Sequence, residues 1–205
     1  MNMDTDIQHI RKWNEIFLAE LISRIFDFYT IAPLSILLYF LTIPRLDPFI
    51  ALYWYFILVL FFSIFPVLFL ILRNSEGKLA DYEFTERIKR IPYESGALFL
   101  FLIPVVLSVY LQNSIYITKL AMLFFVLVLC ILILTLLFKI SIHASSATLL
   151  SLMIIKQEGV IGYLSLAAIA MIYWSRIYLK KHNIFQLLSG SLLTVAIYFL
   201  IIGLG

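Results

Sequence analysis

Apolar runs of about 17 to 25 residues recur along this 205-residue chain, each long enough as an α-helix to cross roughly 30 Å of hydrocarbon. They lack the alternation of period two that marks barrel strands, so the backbone polar groups must be satisfied inside helices. Composition agrees: 63% of residues are hydrophobic, 13% are charged, and mean hydropathy is +1.05, the range of polytopic membrane proteins. The expected fold is all-α, a single integral membrane domain over residues 1–205. It is a polytopic transmembrane bundle of six to seven spanning helices with an N-terminal amphipathic interfacial helix over 1–24. Cys130, the one cysteine, lies inside an apolar run, where a thiol packs as a small hydrophobe and neither a disulfide nor a CxxC metal site can form.

Charges and turn residues divide the rest, 25–205, into spans near 25–43, 49–72, 96–112, 116–138, 141–155, 160–175 and 186–204. No cleavage pattern follows the first run, so it is expected to remain as a span. Short turns at Pro44–Pro48, Gln112–Ser114 and Lys156–Gly159 join antiparallel neighbours, and the one long loop runs from Arg73 to Ser95. With seven crossings, the N-terminus, that loop, the Lys139 segment and the Ser175 segment share one membrane face. That face collects 12 of the 15 Lys and Arg residues, leaving Arg45, Lys119 and Lys156 opposite, and the positive-inside rule makes it cytoplasmic. Ahead of the first span, Ile10, Trp13, Phe17 and Leu21 recur at helical spacing with Arg11, Lys12, Asn14 and Glu15 on other faces. This helix is expected either to anchor in the headgroup layer or to form a collar beside a site. A net charge of +3 on a membrane protein gives no reason to expect nucleic acid; membrane lipids are the expected surroundings.

Two segments interrupt the oil with the same chemistry. Lys139-Ile-Ser141-Ile-His143 and Ser175-Arg176 through His182 to Gln186 each combine a serine, a cation and a histidine at a helix boundary. A lone histidine at a helix end is commonly just hydrogen-bonded, and flanking Lys or Arg commonly snorkel to headgroups. Both segments on one face, beside the basic stretch Arg87-Ile-Lys89-Arg90, instead make a site that can hold phosphate.

Ser175-Arg176, five residues, then His182 resembles the third signature of the type 2 phosphatidic acid phosphatase superfamily, the lipid phosphate and polyprenyl diphosphate phosphatases. Ser141-Ile142-His143 looks like the second, with Ile140 in place of its proline and Ile142 in place of its glycine. The resemblance spans about residues 73 to 190. It departs where Gln186 replaces the final Asp, and where Lys78, Arg87 and Arg90-Ile91-Pro92 meet the first signature only loosely. It implies that His182 is the nucleophile that forms a phosphohistidine, and that His143 protonates the leaving oxygen and later activates water. Gln186 would orient His182 without adding charge, and Arg176, Lys139, Ser141, Arg87, Arg90 and Ser175 would hold the phosphate. No metal or cofactor is implied; Asp81, Glu83 and Glu86 could ligate Mg²⁺, although acids interleaved with bases more often form surface ion pairs. The expected substrate is a lipid phosphate or diphosphate, and the small size of the chain leans toward isoprenoid diphosphates. The opposing expectation is an inactive relative that binds or carries a lipid phosphate.

Overall fold

A computed structural model describes residues 3–44, 46–73, 87–111 and 114–203, and among them there is helix but no strand. Helix α1 is Met3–Ile25, α2 Phe28–Leu41, α3 Pro48–Val59 and α4 Phe65–Arg73, the last two joined through a π-helical turn, Leu60–Ile64. A 3₁₀ turn at Ile88–Arg90 opens α5, Ile91–Tyr110; α6 is Ile115–Leu137 and α7 Ile142–Glu158. A second 3₁₀ segment, Gly159–Ser165, leads into α8, Leu166–Tyr178, and α9 is Ile184–Ile201. Five helical stretches are long and apolar enough to cross a membrane, and α1 with α2, bent by 49° at their junction, would make a sixth. The outer surface is as oily as that requires, with Phe49, Leu72, Phe99 and Leu200 all exposed.

One of the five, Ile142–Tyr178, has 37 residues. Straight, it would run to about 56 Å, well beyond the hydrocarbon thickness. It folds back instead: Gly159 adopts φ +59°, and α7 packs against α8. Two serines clamp the reversal, Ser151 Oγ donating to the Ser165 carbonyl at 3.0 Å and Ser165 Oγ to the Ser151 carbonyl at 3.3 Å.

Where lipid offers no water, broken helices must find other partners for their backbone. Pro33 removes the N–H that would have bonded the Tyr29 carbonyl, and Ser63 Oγ donates to that carbonyl at 2.6 Å. Ser63 reaches it from the π turn just ahead of Pro66, where the helical ladder is already disturbed. Below that junction Phe62 stacks on Phe124 at 4.7 Å and meets Phe101 at 4.6 Å, forming the aromatic floor of the core.

Three expected boundaries move. Pro92, acceptable in a first helical turn, lets α5 start at Ile91, so Tyr93 and Glu94 belong to the helix and not to a loop reaching Ser95. The 15-residue span expected at 141–155 is a 17-residue helix, and α8 runs past Ser175, which puts Ser175 and Arg176 in its last turn. In α1 the stripe Trp13, Phe17 and Leu21 faces outward, while Ala19, Ile22 and Ser23 are buried, on the helix that packs against α8. The side chains of Ile10, Arg11 and Lys12, and residues Lys78, Asp81, Glu83 and Glu86, lie outside the described residues.

At Gly190, α9 passes the start of α7 so closely that an added Cβ would fall against the Ser141 carbonyl oxygen, which is backbone and cannot move aside. Gly190→Ala is therefore expected to cost about 1–3 kcal/mol, read as a lowered Tm in micelles. Gly96→Ala, whose methyl meets only the ring edge of Phe69, should cost less.

Candidate active site

The site begins where α6 stops. After Leu137 the chain is extended through Phe138, and Ser141 caps α7 with Oγ accepting the Ala144 N–H at 3.3 Å. The Ser141 N–H goes to the Gln186 carbonyl at 3.1 Å, which fixes this segment against the first turn of α9. His143, in the first turn of α7, is buried.

The second segment is positioned by the end of α8. Lys180 takes φ +54°, the Lys181 N–H returns to the Arg176 carbonyl at 3.0 Å, and the Lys180 N–H bonds the Ile177 carbonyl at 2.9 Å. This is a Schellman ending with lysine where glycine is usual, a conformation that costs roughly 1–2 kcal/mol. It carries His182 back over the helix end, where the His182 N–H also reaches the Arg176 carbonyl at 3.3 Å. The two segments then join directly, Lys139 Nζ donating to the Lys181 carbonyl at 2.8 Å. Arg90 is buried and donates to the Ile140 carbonyl at 3.0 Å, bringing the 3₁₀ turn onto the same segment. Arg87 sits half-buried just ahead of it.

Hydrogen bonding fixes the state of His182. Gln186 Oε1 accepts the backbone N–H of Asn183 at 3.3 Å, and Asn183 Oδ1 in return accepts the Gln186 N–H at 3.0 Å. That capping box identifies the side-chain atom as oxygen. The same oxygen lies 3.0 Å from His182 Nδ1, so Nδ1 carries the proton and donates, leaving the lone pair on Nε2. Nε2 is buried with no hydrogen-bond partner. Burial first, then the cations Arg176, Arg90 and Lys139, push this imidazole down to about 3, with the Gln186 bond pulling the other way.

His143 is the second imidazole with a buried, unpartnered Nε2. It faces Asp27, whose Oδ2 is 3.8 Å away while Oδ1 caps α2 by accepting the Tyr29 N–H. Arg176 is almost wholly buried and donates to Ser23 Oγ on α1; Tyr178 donates to Glu15 at 2.9 Å. Helix α1 thus forms a collar that holds a site cation from behind. Ser175 does not share in this: its hydroxyl proton goes to the Ala19 carbonyl at 2.6 Å, so it docks α1 and is not directed at a phosphate. Asp27 and Ser23 were not legible as site residues, because each sits near an ordinary helix junction and meets its histidine or arginine only through tertiary packing.

A cavity of about 590 Å³ opens beside the cluster. His143, Arg90, Asp27, Arg24 and Glu94 are on its wall, together with apolar residues such as Phe28, Val67, Leu70, Phe101 and Val128. His182, Arg176 and Lys139 are not on its wall, whereas His143 and Arg90 belong to both cavity and cluster. No family model matches the chain, and neither does any curated protein or solved structure.

Between pH 6.5 and about 3 the unfolded chain binds a proton at His182 that the folded chain refuses, so stability falls as pH drops below 6.5. Gln186→Asp adds a carboxylate that favours the imidazolium and raises the folded value. The variant is expected to lose less stability on acidification than the wild type, measured by thermal unfolding across that pH range; an identical pH dependence would mean that residue 186 does not govern His182.

Proposed function

We propose that the chain is a membrane phosphatase that hydrolyses a lipid phosphate or diphosphate through a phosphohistidine. The observation that carries this reading is the pair of buried imidazoles with open Nε2 atoms, one held neutral with its lone pair free, among Arg176, Arg90 and Lys139. Two buried histidines without cations would suit many roles; beside buried guanidinium groups they suit phosphoryl transfer, in which charge is spread over the equatorial oxygens.

The steps follow from the placement of the groups. His182 Nε2 gives its lone pair to phosphorus while the bond to the leaving oxygen breaks, and that oxygen takes a proton from His143. Asp27 Oδ2 faces His143 Nε2 from 3.8 Å, on the side from which that proton is handed over. Water then attacks phosphorus, His143 takes its proton, and the N–P electron pair returns to His182. His143 lies on the cavity wall and His182 off it, which agrees with an in-line displacement whose leaving group is a tail in the cavity. A cavity of this size with apolar walls and a few polar groups suits an amphiphile. The Ser141 hydroxyl, its oxygen already capping α7, can donate its proton to a phosphoryl oxygen at a positive helix end.

Seven crossings, by α2, α3 with α4, α5, α6, α7, α8 and α9, would place both histidine segments at one face, and the excess of Lys and Arg makes that face cytoplasmic. A cysteine introduced at Lys89 is expected to react with an impermeant thiol reagent only after cells are opened, and labelling of intact cells would reverse the orientation.

The activity itself is tested by phosphate release from a panel of lipid monophosphates and diphosphates in EDTA. Wild type should release phosphate and His182→Ala should not. His143→Ala should slow monoester turnover more than diphosphate turnover, because an alkoxide needs its proton in the transition state more than phosphate does. Binding without release by both wild type and His182→Ala would favour a lipid-phosphate carrier, a reading to which the uncharged Gln186 lends some weight. Loss of activity in EDTA would exclude the metal-free mechanism.

A further inference from the structure

We propose that Glu94 is a specificity-determining residue that selects lipid phosphates bearing a free hydroxyl within the first few atoms of the tail. This rests on the phosphatase reading of the same site. Glu94 is only 7% exposed, and it lines the cavity on α5 between Arg90 and the apolar Ala97 and Phe101 of the same helix, all of them on the cavity wall. A carboxyl group in such a place is costly unless it is bonded. Thr135 Oγ1 donates to Oε1 at 3.2 Å, whereas Oε2 is buried with no hydrogen-bond partner. The protein therefore bonds one oxygen and leaves the other, buried beside the cavity wall and near the Arg90 charge, with a hydrogen bond still to make.

The position of Glu94 says where on the ligand its partner lies. Arg90, at the entrance to α5, is among the cations around His182, and Glu94 is one helical turn further along, a rise of about 6 Å. A ligand with its phosphate at Arg90 and its tail running toward Phe101 and Val128 passes Glu94 a few atoms beyond the ester oxygen. A hydroxyl is the group that fits, since it donates to a carboxylate and accepts from a protonated carboxyl, and so meets Oε2 in either state. A plain alkyl phosphate offers only hydrocarbon at that point and would bury Oε2 unpaired, and an isoprenoid diphosphate would bring its second phosphate there, an anion with only acceptor oxygens for a carboxylate to meet. The carboxyl thus argues against the isoprenoid lean suggested by chain size, and for hydroxylated single-tail lipid phosphates. Thr135 is a positioning residue that holds the carboxyl from the α6 side.

The test compares a long-chain alkyl monophosphate carrying a hydroxyl one carbon from the ester carbon with the same alkyl phosphate lacking it. Both turnover and equilibrium binding are measured on the full chain in nanodiscs. Wild type is expected to favour the hydroxylated probe by at least about tenfold in kcat/KM, since a site built to bond a hydroxyl discriminates strongly against its absence. Glu94→Leu should bring that ratio close to one, and Glu94→Gln, which keeps the shape and an acceptor oxygen, should retain part of it. Thermal unfolding of both variants reports whether each is folded. Equal kcat/KM on the two probes in wild type, or a preference that survives in folded Glu94→Leu, overturns the proposal. If wild type releases no phosphate from either probe, the phosphatase reading fails on its own. The hydroxyl preference is then read from the binding ratio, whose persistence in wild type and loss in Glu94→Leu supports the role of Glu94, and whose absence in wild type overturns it.

Discussion

The backbone hydrogen bond from Ser141 to the Gln186 carbonyl holds together the parts on which the site depends. On one side of it Ser141 starts α7 and sets the place of His143. On the other, Gln186 uses its side chain to close the cap of α9 and to fix the proton of His182. The two imidazoles belong to different segments, yet their positions are set by a single joint. Gly190, tight against the Ser141 carbonyl, is what allows α9 to come close enough to make it. The Lys139 bond to the Lys181 carbonyl closes the same joint from the other end, so a cation of the site is also one of its fasteners.

Lipid as solvent explains the serines. In water, the carbonyls freed at Pro33 and at the break between α1 and α2 could be hydrated; here Ser63 bonds Tyr29, Ser146 bonds Phe26 at 2.6 Å, and Ser175 bonds Ala19. Of these, Ser175 looks like a candidate functional group when read along the chain, because it precedes Arg176 at a helix boundary. Most of them repair backbone. Ser141 alone combines that repair with a place beside the histidines.

The helical, membrane-spanning character could be read from the apolar runs, because a hydrocarbon environment permits little else at that length. His182, Gln186 and Lys139 could also be read as neighbours, since helix boundaries and local turns put them there. The limits of the reading have physical causes. Pro92 reads as part of a loop, although a first helical turn has no use for its missing N–H, and Glu94 is hidden with it. Asp27 looks like an N-cap and is one; its second oxygen meets His143 across 116 positions of sequence, a relation that no periodicity encodes. Ser175 carried a signature position but spends its proton on α1, because Arg176, one residue along, is held by Ser23 on that same helix.

The tie between α1 and the last turn of α8 bridges 156 positions in the Ser175 contact and 153 in the Arg176 contact. During synthesis the first helix must wait, its polar Ser23 without the guanidinium it will hold, until α8 has been made. A chain interrupted anywhere before Arg176 has neither the cation nor the collar around it. Contacts so distant in sequence are slow to form, and the consequence is one of timing: the cluster around Arg176 and His182 is assembled only when most of the chain is already in place.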